Sequence, residues 1–125
     1  MIRVLIADDE APARERLRQI LGAHTDVLIA GEAATGPEAL AQAQALRPDV
    51  ILLDIQMPGA SGLDVALALR PPRPRIVFCT AYEQHALEAF ELAAFDYLLK
   101  PISRSRLAKC LERLARRERL MGLSK

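Results

Sequence analysis

Carboxylates, one hydroxyl and one ammonium stand where apolar runs of this sequence stop. Asp8, Asp9 and Glu10 follow Val4-Leu5-Ile6-Ala7, Asp54 lies at the end of Val50–Ile55, Thr80 follows Ile76–Cys79, and Lys100 follows Tyr97–Leu99. Neighbouring carboxylates repel, and each raises the next one's pKa unless a cation sits among them. Three in a row after an apolar run therefore suggest a site. The donor set is rich in oxygen, which suits a hard divalent ion such as Mg²⁺. With such an ion bound, one carboxylate can attack a phosphoryl donor and form an aspartyl phosphate. Lys100 and the metal would then offset the charge on the phosphoryl oxygens.

Other chemistries lack their parts. No glycine-rich turn follows the first apolar run, so dinucleotide and P-loop readings fail. No Ser, Cys or His stands where a nucleophile–base pair would need it. Cys79 and Cys110 have neither metal-ligand nor C-x-x-C spacing, and read as small buried hydrophobes in a reducing cytosol. His24 and His85 are isolated and read as surface or loop residues. At 125 residues, half of them apolar, the chain makes one domain with a core of its own. A formal net charge of +1 points to neither nucleic acid nor a membrane surface. No apolar run approaches the roughly 20 residues of a membrane span, and no secretory signal is visible. The expected location is the cytoplasm.

The elements that must position these residues alternate along the chain. Apolar runs at Ile2–Ala7, Val27–Ala30, Val50–Ile55, Ile76–Cys79 and Tyr97–Leu99 are continuous rather than alternating, as expected of strands covered on both faces. Between them lie segments of helical period. Ala13, Leu17, Ile20 and Leu21 form one stripe, with Pro12 in the first turn and Gly22 as a stop. Thr35-Gly36-Pro37-Glu38 has the form of a capping box opening a helix through Leu46. Ser61 can cap a third helix running to about Leu69, before Pro71-Pro72 breaks it. Residues 83–93 read as a short helix with more apolar surface than one buried stripe requires, carried by Ala86, Leu87, Ala89, Phe90, Leu92 and Ala93. Leu107, Cys110, Leu111 and Leu114 give the last helix, from Ser103 to about Leu120, its stripe. Five strands alternating with five helices imply an α/β fold, a doubly wound parallel sheet with helices on both faces. Ligands of such sheets bind beyond the carboxyl ends of the strands, where the polar residues above converge.

The order and spacing of Asp8-Asp9-Glu10, "LLDIQMPGASG" around Asp54, "TA" at 80–81 and "YLLKP" at 97–101 resemble the receiver domains of bacterial two-component response regulators. The segment "TAYEQHALEAFELAAFDYLLKP" further resembles the subgroup joined to a LytTR-type DNA-binding domain, which includes the alginate-regulator-like proteins. The resemblance implies a flavodoxin-like sheet of order 2-1-3-4-5 and a phosphoryl group taken from a sensor histidine kinase. It implies that Asp54 is the phosphoacceptor. Asp9, Asp8, Asp54 and the backbone carbonyl of Gln56 would hold Mg²⁺, with Asp8 acting directly or through water. Thr80 and Ala81 would contact the phosphoryl group, Tyr97 would change rotamer in response, and Lys100 would pair with the phosphoryl oxygens. Lys100–Pro101 would be a cis peptide. Gln56 and Tyr82 would flank the approach of hydrolytic water and tune the lifetime of the phosphoryl group. Phosphorylation would favour a homodimer through the 83–120 face. Residues 1–120 would form the receiver, with 121–125 beginning a linker to a C-terminal DNA-binding domain that makes any DNA contact.

Several residues carry plainer readings. Glu10 suits a helix start, where negative charge favours the dipole. Met57, Pro58 and Gly59 shape a loop, and Gly62 permits a backbone turn. Arg104, Arg106, Lys109, Arg113, Arg116, Arg117 and Arg119 make the last helix basic, but Glu112 and Glu118 interrupt the run, which reads as a solvated face. Two rival functions are a Mg²⁺-dependent phosphohydrolase with an aspartyl-phosphate intermediate and a phosphorylation-independent interaction module. The hydrolase would need an acid two residues after its nucleophile, where this chain has Gln56. The module would be favoured had Asp9, Asp54 or Lys100 been replaced.

Overall fold

A computed structural model of the protein describes residues 1–123, with side chains through Arg117. Strands β1 (Ile2–Ala7), β2 (Val27–Ala33), β3 (Val50–Leu53), β4 (Arg75–Thr80) and β5 (Asp96–Leu99) alternate with helices α1 (Ala11–Leu21), α2 (Gly36–Leu46), α3 (Gly62–Ala68), α4 (Ala86–Glu91) and α5 (Arg104–Leu123). The strands form one parallel sheet of order β2-β1-β3-β4-β5, as expected.

Side chains on successive strand residues point to opposite faces, and both faces here are apolar. Val4, Ile6, Val50, Leu52, Val77 and Cys79 share one core with Leu17 and Ile20 of α1 and Leu107, Cys110, Leu111 and Leu114 of α5. Leu5, Ile51, Leu53, Ile76 and Phe78 share the other with Ala39 and Ala43 of α2, Val65 and Ala66 of α3 and Ala89 of α4. Both cysteines are buried and free, in keeping with their reading as small hydrophobes.

The ends of the elements follow local chemistry, with some departures from expectation. Ser61 makes a complete capping box: its hydroxyl accepts from Asp64 N at 3.1 Å, and Ser61 N donates to the Asp64 carboxylate at 3.2 Å. The expected box at Thr35 is only half made. Thr35 Oγ1 accepts from Glu38 N at 3.2 Å, while the Glu38 carboxylate accepts from Gln42 one turn on. Strand β2 continues past Ala30 through Gly31 and Glu32 because pairing with Leu5–Ala7 continues beyond a register shift. Helix α5 runs to Leu123, three residues into the stretch read as a linker, and residues 124–125 lie outside the described residues. No helix among the described residues is long and apolar enough to cross a membrane.

Gly62 permits the expected backbone turn by close approach: a Cβ there would lie 2.1 Å from the carbonyl oxygen of Asp54, and Gly62 N donates to Ile55 O at 2.7 Å. The missing side chain lets α3 start against the backbone that carries Asp54. The loop's positive φ belongs instead to Gly59, at 84°. We expect Gly62→Ala to lower stability by about 1–3 kcal/mol, as overpacking against backbone does, measured by urea unfolding. A loss within error of zero would mean that α3 can shift without consequence.

Candidate functional site

Strand register brings the site residues to one level. Ala7 pairs with Leu53 and Thr80 with Leu99. The ladders extend one step further: Asp54 N donates to Ala7 O at 2.9 Å and Lys100 N to Thr80 O at 2.8 Å. Asp8, Asp54, Thr80 and Lys100 therefore emerge side by side at the carboxyl edge, beside β1 and β3, where the strand order reverses.

Lys100 joins the carboxylates. Its Nζ donates to Asp8 Oδ2 at 2.6 Å and to Asp54 Oδ2 at 3.2 Å. Asp8 is 1 % exposed, Asp54 5 % and Thr80 0 %, so three polar side chains meet in nearly dry surroundings. Burial raises the Asp54 pKa above its ordinary value; Asp8 adds to the rise and Lys100 opposes it. Burial alone would push the Lys100 ammonium down. Its hydrogen bond to Asp8 and the charges of both aspartates more than offset that, and hold it above its ordinary value. The Lys100–Pro101 peptide is cis.

Beside this pair lies the acidic turn. One carboxylate oxygen each from Asp8, Asp9 and Glu10 lie within 4.8 Å of one another, with Asp8 buried and the other two exposed. Glu10 N donates to Asp8 Oδ1 at 2.9 Å, and Glu10 precedes α1 as its N-cap residue, matching its reading as a helix start. Hard carboxylate oxygens in this number, half open to water, fit a Mg²⁺ ion that keeps part of its hydration shell. An open cleft of about 560 Å³ adjoins the turn, lined by Asp9, Gln56, Met57, Pro58, Ser61 and His85 among others. His85, read as an isolated loop residue, shares that cleft, and its Nδ1 lies 3.3 Å from Glu88 Oε1.

On the far side of Lys100, Thr80 Oγ1 accepts from Tyr82 N at 3.3 Å. The Tyr97 hydroxyl donates to the Tyr82 carbonyl. Tyr82 is thus gripped at both ends of its backbone, while the residue is 42 % exposed. Ala81 is exposed next to Thr80, and Gln56 N donates to Asp54 Oδ1 at 3.3 Å.

Two arrangements escaped the sequence reading. The Arg14 guanidinium donates to the Asp8 carbonyl at 2.8 Å. Arg106 grips Asp96 through two bonds of 3.0 and 2.6 Å, and Arg113 adds a third at 3.1 Å while stacking over Phe95. Part of the basic face of α5, solvated as expected, therefore also clamps β5 through Asp96. Although burial pushes the other way, Arg106 holds the Asp96 carboxyl below its ordinary value. The signal available in sequence was an acid opening an apolar strand ten residues before an arginine.

Because Asp54 has a raised folded-state pKa, its contribution to stability is fully present below the unfolded value near 3.8 and is lost as pH rises through the folded one. Asparagine keeps the acceptor for Lys100 and removes the charge. We expect Asp54→Asn to melt a few degrees higher than wild type at pH 7 without divalent ions, the gap closing below pH 4. Equal melting temperatures at pH 7 would show that Lys100 fully compensates the buried charge.

The family of response regulator receiver domains matches residues 4–112. The chain is 53 % identical over 120 residues to the transcriptional regulatory protein BtsR of Escherichia coli K12, covering 95 % of this chain and 50 % of that one. It is 52 % identical over 117 residues to an uncharacterized response regulatory protein of Yersinia pestis, covering 93 % of this chain and 49 % of that one. The chain thus spans about half the length of the curated relatives it matches. Among solved structures, the response regulatory domain of mrkE from Klebsiella pneumoniae superposes with a TM-score of 0.85 at 38 % identity, covering 91 % of this chain and 95 % of that one. The receiver domain of AraT from Geobacillus stearothermophilus does so with a TM-score of 0.85 at 35 % identity, covering 99 % and 98 %. With its doubly wound sheet and the paired carboxylates and lysine at its carboxyl edge, the chain belongs to the response regulator receiver domain family.

Proposed function

We propose that this receiver is a phosphorylation-controlled switch in which Asp54 takes a phosphoryl group from the phosphohistidine of a sensor histidine kinase. The observation that carries this is the Lys100 ammonium shared between buried Asp8 and Asp54, beside an open acidic turn. An Asp54 oxygen attacks phosphorus, the new P–O bond forms as the P–N bond breaks, and the histidine leaves. Lys100 stays within reach of the incoming oxygens, and the Thr80 hydroxyl, whose oxygen already accepts from Tyr82 N, keeps its proton free to donate to them. Ala81 has only its backbone N–H to offer. Asp8, Asp9, Asp54 and the Gln56 carbonyl would hold Mg²⁺. Such an ion, when bound, supplies further positive charge to the phosphoryl oxygens.

The grip on Tyr82 supports a route outward. Drawing Thr80 toward a phosphoryl group on Asp54 weakens its bond to Tyr82 N and moves the carbonyl that holds the Tyr97 hydroxyl. Tyr97 then changes rotamer. Leu87 (69 % exposed) and Phe90 (79 %) on α4, with exposed Leu99 on β5, form an apolar face beyond it. That face supports phosphorylation-favoured pairing of two copies through α4, β5 and α5. The stretch from Thr80 to Pro101 supports placement with the LytTR-type, alginate-regulator-like receivers. In that reading the domain acts in the cytoplasm, residues 1–120 form the switch, and DNA is bound by a domain joined after it.

Acetyl phosphate with Mg²⁺ should add one phosphoryl group, seen by intact mass, to wild type and none to Asp54→Asn. Modification that persists in the variant, or fails in wild type, sinks the proposal. Neither Gln56 nor Tyr82 is a carboxylate able to take a proton from attacking water, and in this reading the large Tyr82 ring would cover the approach. Tyr82→Ala should therefore shorten the phosphoryl lifetime; an equal or longer one removes Tyr82 from that role. For pairing, sedimentation with beryllofluoride and Mg²⁺ should show a shift toward dimer. A mass that stays monomeric with the analogue bound would refute it.

A further inference from the structure

Asp9 is exposed, yet its carboxylate lies within the oxygen cluster of the acidic turn. Something must hold its backbone. The first amides of α1 turn back to Glu10 O, with Ala13 N and Arg14 N each at 3.1 Å. The Asp8 carbonyl lies two residues before that ladder's first acceptor and takes its bond from the Arg14 side chain, at 2.8 Å. Arg14 therefore binds the carbonyls on both sides of Asp9, one through its backbone and one through its guanidinium. The guanidinium is itself anchored. Its Nε lies 3.4 Å from Glu32 Oε1 on β2, and Arg18 Nη1 lies 3.3 Å from the other oxygen of the same carboxylate. Arg18 in turn pairs with Glu15. The Arg14 side chain is only 22 % exposed, so it is held against the turn rather than waving in water.

We infer that Arg14 is a positioning residue for the cation site: anchored by Glu32, its guanidinium holds the Asp8 carbonyl and so fixes where Asp8 and Asp9 present their carboxylates. The inference rests on the proposed Mg²⁺ role of those aspartates. Charge alone argues the other way, because a guanidinium beside a cation site disfavours the cation. A benefit from Arg14 is therefore geometric, and the two accounts predict opposite signs.

Binding of Mn²⁺ to the whole chain, titrated by electron paramagnetic resonance, separates them without any phosphoryl donor. Arg14→Met, with its helical circular dichroism unchanged, should bind Mn²⁺ about 10-fold more weakly, the usual loss when an outer partner of a metal ligand is removed. Arg14→Lys, which keeps the charge and one donor, should recover most of that loss. Affinity in Arg14→Met equal to or tighter than wild type overturns the inference. Glu32→Gln tests it with Arg14 in place: a weakening that persists at about 0.5 M salt, where the lost charge is largely screened, supports the anchor, and no change overturns it, even where Arg14→Met fails to fold. A wild type that binds no Mn²⁺ removes the switch reading itself, an outcome distinct from wild-type binding that Arg14→Met leaves intact.

Discussion

One ammonium between two buried carboxylates organises this molecule. Asp8 closes β1, Asp54 closes β3 and Lys100 closes β5, so the contact spans the sheet from its middle to its far edge. A carboxylate taken out of water without a partner costs several kcal/mol, and two side by side cost more. Lys100 makes their burial tolerable, and it can do so only if β4 and β5 hold their register. The bond from Lys100 N to Thr80 O, one step beyond the β4–β5 ladder, fixes that register at the site itself. The architecture of the sheet and the chemistry of its edge are thus the same constraint seen at two scales.

The compensation is incomplete by construction. Asp54 has a raised pKa despite its lysine, because burial and the neighbouring Asp8 together outweigh the ammonium. With Asp9 and Glu10 close by, the edge holds more negative charge than one lysine balances. A divalent cation would relieve that imbalance, and on the proposed reading Lys100 is already in place for an incoming phosphoryl group. A fully neutralised edge would be more stable and less useful, a trade common at functional sites.

How much of this could be read from the chain depended on how local the cause was. The five apolar runs were legible because a strand covered on both faces needs no alternation, and β1 was placed to the residue. Edge positions were harder. The apolar run of β2 ends at Ala30, whereas the strand continues through Gly31 and Glu32, and Glu32 is the acceptor for two arginines of α1. The site residues at strand ends were legible because the parallel fold gathers them at one edge. Arg14 was not, since its partner is a backbone carbonyl, which no side-chain pattern announces. For Gly62, spacing shows a glycine at a turn, but only the packed structure shows which backbone it lies against.

The far side of Lys100 shows why the small β4–α4 loop matters more than its length suggests. Tyr82 uses its N–H on Thr80, a residue fully buried at the site, and its carbonyl on Tyr97, which is half-buried. The Tyr97 ring also lies 6.3 Å from that of Phe78, which is buried in the core beneath α4. A displacement of Thr80 by a few tenths of an ångström cannot be absorbed by the packed strand below it. On the proposed reading it would fall on the loop, which two single hydrogen bonds tie to Thr80 and Tyr97 through the Tyr82 backbone. Meanwhile Asp96, at the start of β5, is clamped to α5 by Arg106 and Arg113, so that end of the strand stays fixed. On the proposed reading such motion would pass toward α4, which carries the exposed apolar side chains of Leu87 and Phe90, rather than through α5.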